Sequence, residues 1–94
     1  MERRKRQNIV GIRVGQLRRN AGLTQKAFIA RCQVLGWMIS RETLAKIESG
    51  VRRVHDAEVA LLARVLRVDA DTLLQARRET LLTMVRHSPD DAGE

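Results

Sequence analysis

The stretch Ile39–Gly50, ISRETLAKIESG, is fenced at both ends, and the fences leave it one regular conformation. A serine just before a helix accepts a backbone N–H that would otherwise lack a partner, so Ser40 reads as an N-cap. Gly50 suits the left-handed residue that closes a helix at its C-terminus. Between them Leu44 and Ile47 stand three apart and share one side, while Arg41, Glu42, Ala45 and Lys46 fall elsewhere around the axis. Ile39 is spaced to staple onto Leu44. A helix this short is marginal by itself in water. The stretch therefore needs an apolar scaffold behind Leu44 and Ile47, and its polar side is left to face something else.

The same starting device occurs once before. Thr24 is a favoured N-cap, Leu23 can staple onto Phe28, and Phe28, Cys32 and Leu35 carry an apolar face up to Gly36, a natural stop. Ahead of it, Val10, Val14, Leu17 and Ala21 give a helical period over Asn8–Ala21, ended by Gly22. After Gly50 the basic loop VRRVH leads to Asp56, which can cap a fourth helix with Val59, Leu62, Val65 and Leu66 inward. Asp69 or Asp71 opens a fifth segment. Its apolar patches, Leu73 with Leu74 and Leu81 with Leu82, Met84 and Val85, are parted by Arg77-Arg78-Glu79, so it reads as one long helix or as two.

This succession predicts an all-α fold. The chain has 94 residues, enough for a single core and too few for two. It contains one Phe, one Trp and no Tyr, so that core must be aliphatic. A sandwich or barrel would need turn clusters at short spacing, which are missing.

Charge narrows the partners. The formal net charge is +7, which points to a polyanion: nucleic acid first, an anionic membrane surface second, with a merely solubilising surface as the plain alternative. Residues 1–7 form a basic arm containing Arg3, Arg4, Lys5 and Arg6, whereas residues 88–94 form an acidic tail expected to be disordered. Cys32 is the only cysteine, which rules out an internal disulfide and lends secretion no support. No apolar run approaches the ~20 residues that span a bilayer, and arginines interrupt any signal-peptide core near the start. A soluble cytoplasmic protein is the expectation. His55, His87 and Cys32 are scattered without metal-ligand spacing, and no glycine-rich phosphate loop is present, so neither an enzyme nor a metal or other cofactor is expected.

Three stretches taken together carry a family likeness: VGIRVGQLRRNAGLTQKAF, ISRETLAKIESG and DAEVALLARVLRVDADTLL. Their order resembles the lambda-repressor-like helix-turn-helix proteins of the Cro/CI or Xre type, over about Val10 to Leu74. The resemblance implies a compact five-helix domain over residues 8–75, with an extended C-terminal helix over residues 76–87. Two features depart from the family pattern. The interval from Gln25 to Glu48 is longer than usual, and Ile29 stands where a small residue is preferred, so the angle between helices two and three is open.

The resemblance also assigns roles. Double-stranded DNA is the implied partner, with Arg41, Glu42, Ala45 and Lys46 reading base edges in the major groove. Arg41 suits guanine O6 and N7, Lys46 guanine more weakly, and Ala45 a thymine methyl; Glu42 can accept from cytosine N4 or, lying close to phosphates, exclude wrong bases or orient Arg41. Phosphate contacts are expected from Thr24, Gln25, Ser40, Ser49, Arg52 and Arg53, while the arm Arg3–Arg6 either follows the duplex or simply solubilises the chain. Arg18 and Glu48 are implied to form a structural ion pair tying helix one to helix three. Relatives commonly dimerise, and Leu74, Leu81, Met84 and Val85 are the candidate homodimer surface, burial against helix one being the alternative. The expected function is a sequence-specific transcriptional regulator, a repressor acting on a pseudo-palindromic site. Its rivals are an antitoxin-like or adaptor module that holds a protein partner through the C-terminal helix, and a binder driven by charge alone.

Overall fold

In a computed structural model the chain is described from Lys5 to Arg86, all helix and loop among the described residues. Arg3 and Arg4 of the basic arm, and the acidic tail, lie outside the described residues.

The helices are α1 (Gly11–Asn20), α2 (Gln25–Val34), α3 (Arg41–Ser49), α4 (Asp56–Leu66), α5 (Ala70–Leu74) and α6 (Arg78–Arg86). Local chemistry explains most of their ends. Thr24 Oγ1 accepts the Ala27 N–H at 3.0 Å, and Ser40 Oγ accepts the Thr43 N–H at 3.1 Å. Gly22, Gly36 and Gly50 take the left-handed conformation at the ends of α1, α2 and α3. Arg67, at φ 59°, does the same for α4 without being glycine.

Two helix starts differ from the sequence expectation. The buried Asn8 turns its Oδ1 onto the Gly11 N–H at 2.7 Å, so α1 begins at Gly11 and not at Asn8. At α4, Asp56 is the first helical residue and not the cap. Glu58 reaches back instead, accepting the His55 N–H at 3.2 Å, and Asp56 takes the neighbouring Ala57 N–H.

Val10, Val14, Phe28, Cys32, Leu44, Ile47, Leu62 and Leu73 fill the centre and are essentially inaccessible. α1 packs on α3 and α4, α2 packs on the same two, and α5 packs on α4. The long connector between α2 and α3 is anchored by the Trp37 N–H on Cys32 O at 3.0 Å, with Ile39 buried and Trp37 against the core. Ile29 is accommodated in that core at 8% exposure. The fifth segment resolves into two helices. α5 stops after Leu74, and α6 buries none of its residues.

Candidate nucleic-acid interface

α3 is a helix with one side given wholly to the core. Leu44 and Ile47 are at 0% exposure, while Arg41, Glu42, Ala45 and Lys46 are all exposed. Ser40 caps the helix from an exposed position, so the first turn points outward together with Arg41 and Glu42. The start of α2 lies open as well, with Thr24 exposed and Lys26 beside it. Free N–H groups and the positive dipole end at such a start favour an anion.

The far end of α3 is tied to α1. Arg18 Nε donates to Glu48 Oε2 at 2.7 Å and Nη2 to Oε1 at 3.1 Å, a two-pronged pair whose side chains are 10% and 12% exposed. Arg18 Nη1 also donates to Leu23 O at 2.8 Å, which fixes the turn between α1 and α2. Gln25 Nε2 donates to Glu48 Oε1 at 3.3 Å, so its amide faces the ion pair where phosphate had been expected. Among the described residues no buried side-chain nitrogen or oxygen lacks a hydrogen-bond partner.

Two cationic groups expected to meet DNA are engaged within the protein. Arg52 clasps Glu58 with both terminal nitrogens, at 2.9 and 2.8 Å, and also donates to Arg53 O. The hydrogen bonds from Arg52 and the His55 N–H hold the Glu58 carboxyl below its ordinary range, although burial pushes the other way. Arg6 folds back onto α3, donating to Glu48 O at 2.9 Å and Ser49 O at 3.1 Å. Lys5, Arg53 and Ser49 remain at the surface.

A family model for the helix-turn-helix domain matches residues 9–79 of this chain. The chain belongs to that family. As a helix-turn-helix domain it carries the fold of DNA-binding regulators, a group that is typically non-enzymatic. The match takes in α1 to α5 and ends at the first residues of α6, so Leu81, Met84 and Val85 fall beyond it, as does the basic arm. Searches of the curated proteins and of the solved structures find no match. Asn8, just ahead of the matched residues, and Glu58 within them are the contributors that sequence reasoning missed. Glu58 had a legible signal, an acid three residues into a helix start. Asn8 had a local signal only for its oxygen, which takes the Gly11 N–H as an asparagine before a helix can, while the acceptors of its amide N–H groups lie far along the chain.

Two further features bear on the chemistry. Cys32 is a core side chain at 0% exposure, and burial pushes its thiol up to about 11. Among the described residues no group of three His, Cys, Asp or Glu is placed to hold a metal, and no helix is long and apolar enough to cross a membrane.

Proposed function

We propose that this helix-turn-helix protein is a sequence-specific transcriptional regulator, a repressor that holds a pseudo-palindromic operator as a homodimer. The observation that carries the reading is the division of α3: apolar residues at 0% exposure on one side, and Arg41, Glu42, Ala45 and Lys46 all open on the other. A helix held this way can enter the major groove N-terminus first. Arg41 meets guanine O6 and N7, Lys46 a second guanine, Ala45 a thymine methyl, and Glu42 either accepts from cytosine N4 or orients Arg41.

Phosphates are met by Thr24 and the first turn of α2, by Ser40 and Ser49 at the two ends of α3, and by Arg53. Gln25 and Arg52 join them only by giving up part of their bonds to Glu48 and Glu58. Support for the dimer comes from α6, where Leu81, Leu82 and Val85 are 39%, 44% and 56% exposed in a helix with no buried residue. Exposed apolar side chains in a row of this kind mark an association surface. Two copies would set their α3 helices in successive major grooves, ~34 Å apart.

Selection of binding sites from a random DNA pool tests the reading. The expected outcome is a two-fold symmetric motif bound at least ~10³-fold more tightly than random DNA at physiological salt. Arg41→Ala should relax the preference at one base pair per half-site while the others persist. Recovery of no motif, with binding that collapses as salt rises, would leave a charge-driven binder. An unchanged motif in Arg41→Ala would mean that another face meets the bases.

A further inference from the structure

The C-terminal turn of α3 is closed by the other end of the chain. A helix ends with carbonyls that its own ladder cannot satisfy. Here Ile47 O accepts from Asn8 Nδ2 at 3.0 Å, Glu48 O from Arg6 Nη2 at 2.9 Å, Ser49 O from Arg6 Nη1 at 3.1 Å, and Gly50 O from the Gln7 N–H at 2.6 Å. Asn8 does more than this. At 5% exposure it gives its other N–H to Arg52 O at 2.8 Å and takes the Gly11 N–H at 2.7 Å, so one amide joins α1, α3 and the loop after α3.

The closeness of the contact shows in two glycines. A Cβ on Gly11 would stand 1.9 Å from Ile47 O, and one on Gly50 would stand 2.5 Å from the Arg6 guanidinium carbon. The Arg6 charge also sits at the negative end of the α3 dipole, where a cation is favoured.

This bears on base reading through leverage. α3 has nine residues, and its outer turn carries Arg41 with no neighbouring element over it. Leu44 and Ile47 set its depth, α1 and α2 pack along it with Arg18 and Gln25 on Glu48, and the Arg6 and Asn8 bonds add the hold on its last carbonyls that resists rotation and tilt. A side chain must meet a base edge within a few tenths of an ångström to make both hydrogen bonds, so a loosened grip is felt at Arg41 and Lys46.

We infer that Arg6 and Asn8 are positioning residues for base recognition: they grip the last turn of α3 and so aim Arg41 and Lys46, and Arg6 belongs to this grip and not to the phosphate contacts. The inference rests on the reading of α3 as the groove-entering helix.

The test uses the full chain, the selected operator and random DNA, at a temperature where circular dichroism shows each variant folded. Asn8→Asp keeps the oxygen that serves Gly11 and removes both donors. Arg6→Ala removes the guanidinium alone, and it decides the matter if Asn8→Asp does not fold. Arg53→Ala is the comparison for a phosphate contact. The expected result for Arg6→Ala and Asn8→Asp is a fall of about tenfold in the ratio of operator to random-DNA affinity, with the salt slope of the wild type. Amide exchange of Gly50 and Val51 in the free protein should rise in both, because those N–H groups close the same turn. Arg53→Ala should weaken all sequences alike and lower the salt slope by about one.

Arg6→Ala behaving like Arg53→Ala would overturn the inference. So would wild-type discrimination or unchanged exchange in the variants. A wild-type chain that prefers no sequence would overturn the functional reading and the positioning role with it, a result distinguishable from the others because it needs no variant.

Discussion

Glu48 is the residue on which most polar contacts converge. Its carboxylate accepts from Arg18 and Gln25, and its backbone carbonyl accepts from Arg6. Deleting it would leave the Arg18 guanidinium buried with only Leu23 O as partner, and uncompensated buried charge is among the costliest defects a small domain can carry. Glu48→Ala should therefore cost about 3 kcal/mol or somewhat more in denaturant unfolding. Glu48→Gln, which keeps one acceptor and the side-chain volume, should lose roughly half as much. Equal losses would mean that packing, and not charge pairing, is what Glu48 supplies. The likeness to a known family pointed to Arg18 and Glu48 as partners, but the residue pattern alone did not, since nothing periodic links positions 30 apart. The place of Gln25 was out of reach for a further reason. An amide can serve a phosphate or a neighbouring carboxylate equally well, and only proximity to Glu48 chooses between them.

Helix ends were the most legible elements. Ser40, Thr24, Gly36 and Gly50 act within three or four residues of themselves, so their identities suffice. The start of α4 shows where such reading slips: Asp56 and Glu58 both offer carboxylates, and Arg52 draws Glu58 into the reaching position. That junction has a pH signature. The folded pKa of Glu58 is lowered from its ordinary 4.5, first by the Arg52 hydrogen bonds. Its contribution is then complete above pH 4.5 and is lost as pH falls through the folded value. Comparing unfolding at pH 7 and pH 3 should show a wild-type loss that is smaller in Glu58→Gln, by a modest amount because Arg52 is one-third exposed. A loss of the same size in both proteins would place the acid sensitivity elsewhere.

For the molecule as a whole, α6 is the element on which the proposed assembly turns. Leu81, Met84 and Val85 line one apolar groove together with Ile9, Val54 and Val59. A homodimer that completes this groove should sediment as a dimer at micromolar concentration, and Val85→Asp should return it to monomer with much weaker operator binding. A wild-type monomer would favour the adaptor reading, with another protein on α6. The groove shares Gln7 and Asn8 with the grip on α3, so its occupation and the setting of the recognition helix meet at one segment. What the sequence determined by itself was local or global in kind: helices that begin and end where caps allow, an aliphatic core from apolar period, and a strongly basic net charge. Only the tertiary structure decided that Arg6 turns onto α3, that Arg52 belongs to Glu58, and that α6 stands apart from α5. Those outcomes depend on which distant groups are brought within hydrogen-bond reach once the chain is packed, and a donor more than forty residues from its acceptor leaves no period or spacing by which to be found.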